Sequence, residues 1–200
     1  MAVDLAIHDA LVLTADERNR LYERGTVCIT DGCIEEVRPS RAGDGELEAS
    51  TVIDGNGKLV MPGLVNAHTH LEMTPLIGAF SELELTEMLG SGTALFNRLG
   101  NGEFEYLVEA GVELAALNFL LGGVTTVNSM DARPAAGAEA FGEAGLRGFF
   151  GPAISDLFLD QPFDQQLARA REFVDTTHDP NDGRIRPTVG QQLDGACTRT

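Results

Sequence analysis

After Met61 the chain alternates short apolar runs with longer amphipathic ones, and this rhythm constrains the fold more than any other feature of the sequence. "GLVNAHTH" (63–70), "VTTVNSM" (124–130), "RGFFGPAIS" (147–155) and "RIRPTVG" (184–190) have the length and β-branched or aromatic content of strands. Between them, "EFEYLVEAGVELAALNFLLGG" (103–123), "AAGAEAFGEAG" (135–145) and "FDQQLARAREFVDTTH" (163–178) repeat at helical spacing. The first of these is expected to turn Phe104, Leu107, Val108, Val112, Ala115 and Leu117 toward a core and to stop at Gly122-Gly123. "GLVNAHTH" is expected to be a buried strand, followed over residues 79–105 by a polar, glycine-containing excursion. Strands joined by crossover helices imply a parallel sheet, either doubly wound or closed as a (β/α)8 (TIM) barrel.

Residues 2–57 have a different grain. "DLAIHDALVLT", "GTVCIT", "CIEEVRP" and "STVIDGNGK" are short and alternating, so they read as β-strands. Asp31-Gly32 has the composition of a hairpin turn, and Gly55-Asn56-Gly57 reads as a second one. The expected division is a β-domain over 1–60 and an α/β domain over 61–200.

Charge excludes some functions. With 31 acidic against 14 basic residues, the net charge of −17 repels phosphate backbones and anionic membranes, so neither nucleic acid nor membrane is an expected partner. No apolar run reaches the roughly 18 residues of a membrane helix, and the N-terminus lacks the basic-then-apolar order of a secretory signal. A cytoplasmic location is therefore expected. A single lysine, Lys58, within so acidic a chain resembles the surfaces of salt-adapted (halophilic) proteins, where dense screening tolerates self-repulsion. Cys28, Cys33 and Cys197 make no zinc-binding pattern and are expected to be reduced.

The chain has only four histidines, and His68 and His70 stand one residue apart at the end of the first apolar strand. On a strand, side chains at i and i+2 share a face, so the two imidazoles project together while Thr69 points away. The C-terminal end of a parallel strand is where α/β folds place their sites. Neutral imidazoles there suit one divalent cation, Zn²⁺ ahead of Fe²⁺ or Mn²⁺. Glu72 and Asp131 fall near the same lip, as candidates to contact substrate, with a role behind the ligands or in solvent as the alternative. His8 and His178 are expected to be structural.

The block "VMPGLVNAHTHLEM", with "VIDGNGKL" ahead of it and "LLGGVTTV" after it, resembles the start of an amidohydrolase-superfamily enzyme, in the chlorohydrolase and cyclic deaminase branch. The resemblance implies a small β-sandwich beside a (β/α)8 barrel with one divalent metal. It also implies hydrolysis of carbon–nitrogen (non-peptide) bonds, deamination of a cyclic nucleobase-like small molecule by metal-activated water. His68 and His70 match the family's metal ligands on its first barrel strand. "PTVGQQLDGACT" resembles the fourth-strand segment and places Gln192 where a substrate-contacting histidine usually stands. The binuclear branch, which bridges metals with a carboxylated barrel lysine, does not match, because Lys58 precedes the first barrel strand. Residues 61–200 fall well short of the roughly 250 of a whole barrel. The expected extent is about the first four βα units, without a third metal ligand or a proton shuttle, and no catalytic residue is assigned. Free strand edges are expected to pair with another copy or with a complementary C-terminal chain. The alternative is a non-catalytic remnant or interaction protein that retains HxH.

Overall fold

The computed structural model describes residues 3–100, 102–155, 159, 161–177 and 183–191, and the chain divides into two compact units, Met1–Pro62 and Gly63–Thr200.

The first unit is a five-stranded sheet. Strands β1 (Val3–Leu13), β2 (Leu21–Thr30) and β3 (Cys33–Pro39) form an antiparallel meander, and β4 (Ala49–Asp54) and β5 (Leu59–Val60) both run parallel to β1 along its other edge. Asp31 and Gly32 make the two-residue hairpin expected of them, with φ of +50° and +71°. The Gly55–Gly57 segment does not make a hairpin. It is a local kink between strands that continue in one direction, because the Gly55 N–H donates to the His8 carbonyl (2.7 Å) and keeps the chain on β1. Gly55 suits this close approach, since a Cβ there would stand 2.6 Å from Ala10 Cβ. Cys28 is buried and Cys33 exposed; both are free thiols, and across the hairpin they pair in register with Glu36 and Thr30 rather than with each other.

The described strands of the second unit are all parallel. Beside β6 (Leu64–Thr69) lies β7 (Val124–Asp131), then β8 (Arg147–Ile154), and on the far side of β8 the short strands β9 (Ile185–Pro187) and β10 (Gly190–Gln191). Helices α2 (Glu105–Leu121), α3 (Pro134–Glu143) and α4 (Phe163–Thr176) fill the crossovers. One face of the sheet is covered by a core that includes Leu71, Val108, Val112, Val127, Phe141 and Phe150, with Phe141 packed edge-on against Phe150.

Three expectations need correction here. Residues 79–105 are not an irregular excursion, for they contain helix α1 (Leu85–Gly100), whose entry is marked by the Glu84 N–H donating to the Glu87 carboxylate. Strand β6 is not buried: Leu64 is 49% and Val65 66% exposed. Among the described residues β6 pairs with β7 alone, and its apolar residues stand exposed at the edge of the second unit's sheet. In α2, Leu107 and Leu117 are exposed, and the inward surface is Val108, Gly111, Val112, Ala115 and Ala116. Small residues face inward because α2 packs closely on the 3₁₀ turn Leu71–Leu76, where a Cβ on Gly111 would stand 2.5 Å from the Pro75 ring. Gly111→Leu is expected to destabilise the chain by about 1–3 kcal/mol through overpacking, read as a lower urea midpoint.

Candidate metal site at the end of strand β6

An irregularity in pairing decides which way the histidines face. Asn66 pairs with Val127 and Thr69 with Ser129, so three steps along β6 match two along β7. Paired residues share a face, and Val127 and Ser129 are both about 1% exposed, on the helix-covered side. Asn66 and Thr69 therefore belong to that side, and His68 and His70, flanking Thr69, belong to the open one. Ala67 is on the open side too, where it lines a hollow of about 340 Å³ with Val65, Thr126, Asn128, Phe149 and Thr188. One extra residue in β6 thus brings both imidazoles to the uncovered face at the strand's C-terminal end. Their ring centroids are 5.0 Å apart and nearly perpendicular, at 89°.

The two rings are held differently. His70 is half-buried, and its Nδ1 lies 2.5 Å from the Met130 carbonyl oxygen. A carbonyl can only accept, so Nδ1–H donates and a neutral His70 keeps its Nε2 lone pair. His68 is exposed; its backbone N–H donates to Asn66 Oδ1 (3.2 Å), and its ring has no hydrogen-bond partner among the described residues. The Asn128 side chain secures the same turn of β6 by donating to the Ala67 carbonyl (3.2 Å).

Glu72 and Asp131 are 8% and 3% exposed. The Glu72 N–H donates to Asp131 Oδ1 (3.4 Å), and the Glu72 carboxylate accepts the N–H groups of Ala132 (2.9 Å) and Arg133 (3.2 Å). Those groups open α3, which begins at Pro134, so the carboxylate sits where the helix dipole favours negative charge. Asp131 Oδ2 accepts from the Ser129 hydroxyl (2.5 Å). Burial pushes both carboxyls above their ordinary values. The Asp131 charge adds to the rise at Glu72, while the two backbone donors and His70 hold it back. The Arg133 guanidinium reaches Glu105 on α2, and Arg169 on α4 donates to the Ala132 carbonyl (2.7 Å).

Gln192, Cys197 and His178 lie outside the described residues. His8 is half-buried in the first unit, with Nδ1 3.2 Å from Asp9 Oδ2. Among the described residues no group of three or more His, Cys, Asp or Glu side chains gathers as a metal site. The donor set at β6 still suits a divalent cation in part: two imidazoles on one face, one fixed by a backbone carbonyl, are a pair of the three protein ligands a catalytic zinc usually has. The position of the extra residue, and the use of Glu72 to hold α3, could not be found from residue spacing. The only cue was "HLE" running directly into a turn.

A parallel sheet covered by helices on one side, with a histidine pair at a strand's C-terminal end, defines an α/β architecture that sets two potential metal ligands side by side. The chain belongs to the amidohydrolase family, whose profile matches residues 59–200. It is 32% identical over 95 residues to a 5'-deoxyadenosine deaminase of Methanosphaera stadtmanae, a match covering 48% of this chain and 22% of that one. An adenosine deaminase from Xanthomonas campestris, solved with bound zinc, superposes with a TM-score of 0.79 at 27% identity, over 95% of this chain and 43% of that one. A triazine hydrolase from Arthrobacter aurescens shares the fold, with a TM-score of 0.80 at 23% identity, over 94% of this chain and 46% of that one. The chain therefore spans less than half the length of these relatives.

Proposed function

We propose that the chain forms the metal-holding portion of a metal-dependent hydrolase that acts on carbon–nitrogen bonds of a cyclic, nucleobase-like small molecule. The observation that carries this reading is the pair His68 and His70, placed by the extra β6 residue on the open face at the strand's C-terminal end. Zinc is the proposed metal, in keeping with the imidazole donors and the zinc of the X. campestris deaminase. A divalent cation there supplies Lewis acidity, lowering the pKa of a bound water from 15.7 toward 7.

The chain's own residues orient and enclose. His70 presents Nε2 because Nδ1 is committed to the Met130 carbonyl, and His68 stands beside it from the solvent side. Val65, Ala67 and Phe149 offer an apolar wall against which a planar ring can lie, with Thr126 and Asn128 as polar neighbours. Gln192 is proposed to contact substrate as a neutral donor and acceptor, unlike a histidine that changes charge near pH 7. The β6 edge, unpaired among the described residues, and the open face beside it support pairing with a complementary C-terminal segment or a second copy that contributes further ligands. In the same reading, the sheet of the first unit is one layer of a β-sandwich.

Metal analysis of the purified chain tests the proposal. About one zinc per chain is expected, and metal at background would leave the reading of a remnant that keeps the motif without the chemistry. The acid excess supports a salt-adapted setting. Melting temperature is then expected to rise as KCl is raised from about 0.1 M to 1 M, where the Debye length contracts from about 10 to 3 Å; no rise would count against salt adaptation.

A further inference from the structure

The ladder between β6 and β7 ends at the pair Thr69 and Ser129, yet the two segments do not part there. Beyond it the chain after β6 turns into the 3₁₀ segment Leu71–Leu76, whose backbone is no longer extended and cannot continue a strand ladder. Side chains take over the pairing. His70 Nδ1 meets the Met130 carbonyl, the Glu72 N–H meets Asp131, and the Glu72 carboxylate meets the N–H groups of Ala132 and Arg133. Residues 70–72 are thus fastened to 130–133 one after another, in the same order as the parallel strands that precede them.

We propose that Glu72 and Asp131 are positioning residues for His70, a reciprocal bridge that fixes the Met130 carbonyl against Nδ1 and so selects Nε2 as the coordinating atom. The proposal rests on the reading of His68 and His70 as metal ligands. The Met130 carbonyl lies one residue before Asp131 and two before Ala132, so its position follows from how those residues are held. Arg169 anchors the same segment from α4 through the Ala132 carbonyl. Both Glu72 oxygens are engaged and the side chain is buried, so Glu72 reaches substrate only through what it holds in place. Gln at position 72 would keep one acceptor oxygen and aim an amide N–H₂ at a backbone donor, which pushes the 131–133 segment away. Ala at position 131 would leave the Glu72 N–H without its acceptor and the Ser129 hydroxyl with only the Thr69 carbonyl.

The test reads His70 directly. In the zinc-free chain, long-range ¹H–¹⁵N correlation spectra are expected to show His70 as a single Nδ1–H tautomer. Glu72→Gln and Asp131→Ala, each confirmed as folded by circular dichroism, are expected to give an averaged tautomer and zinc binding weaker by about 10–100-fold, the usual loss when a ligand's supporting hydrogen bond is removed. A folded variant with an unchanged His70 spectrum and unchanged zinc affinity would overturn the proposal. So would a mixed or Nε2–H tautomer in the unmodified chain, a measurement that stands even where the variants do not fold. Should the unmodified chain take up no zinc while His70 shows the single tautomer and the variants disturb it, the metal reading fails and the positioning stands.

Discussion

His68→Ala is expected to take the chain from about one bound zinc to background, with no loss of fold. The side chain is exposed and its ring makes no hydrogen bond among the described residues, so its removal leaves no cavity and no unpaired polar group. Its consequence falls on the ion alone: two imidazoles become one, and the single imidazole of His70 does not hold zinc at micromolar concentration against water. A melting temperature within a degree or two of the parent, together with at least a 100-fold loss of zinc affinity, is the outcome that supports ligation. Equal zinc content in parent and variant would show that the metal sits elsewhere and would remove the main support for the proposed hydrolase.

The largest stability effect is expected in the first unit, at Asp44. Its carboxylate accepts two hydrogen bonds from Arg38 (2.7 and 3.0 Å), one from the Thr26 hydroxyl (2.7 Å) and one from the Arg41 N–H (2.8 Å). The Arg38 and Asp44 side chains are only 10% and 7% exposed. Asp44→Ala leaves a buried guanidinium with Glu36 as its remaining carboxylate partner, and breaking such a pair costs about 3 kcal/mol. In a unit of this size that corresponds to a fall in melting temperature of roughly 12 °C or more, measurable by far-ultraviolet dichroism. Arg38, and after it the Arg41 N–H and the Thr26 hydroxyl, hold the Asp44 carboxyl well below the ordinary carboxylate range against the opposing effect of burial. A carboxyl depressed on folding contributes stability that is complete above its unfolded pKa and is lost as pH falls through its folded one. The gap between parent and variant is therefore expected to be full at neutral pH and to narrow only in strong acid. A gap that closed already near pH 5 would mean that Asp44 is not the anchor.

The parallel order of β6 to β9 could be read from the sequence because strand and helix periods differ, and because crossovers of helical length exclude hairpins. Helix α1 was hidden by Gly90, Gly92 and Gly100, residues that lower helix propensity and that here are offset by the local Glu84–Glu87 entry and by Leu95, which packs against the core. Gly55-Asn56-Gly57 misled for the opposite reason. Its turn chemistry is real, but the hydrogen bond to His8 decides that the chain continues instead of reversing. At the site, the identity of the histidines was legible and their exposure was not, since strand alternation counts residues along one strand and cannot see a mismatch with its neighbour. The burial of Glu72 was equally hidden, because it depends on two donors and one acceptor some sixty residues away in sequence.

The mismatch between Asn66 and Thr69 also bears on how such a site is lost or kept over time. Substitutions in β6 leave the facing of His68 and His70 unchanged, because parity is set by how many residues the strand contains. Loss of one codon between Asn66 and His68 would retain both histidines and the HxH spelling while turning the rings into the helix-covered core. Descendants of this chain could therefore carry an intact motif and a dead site, and alignments that score letters without gaps would not tell the two apart.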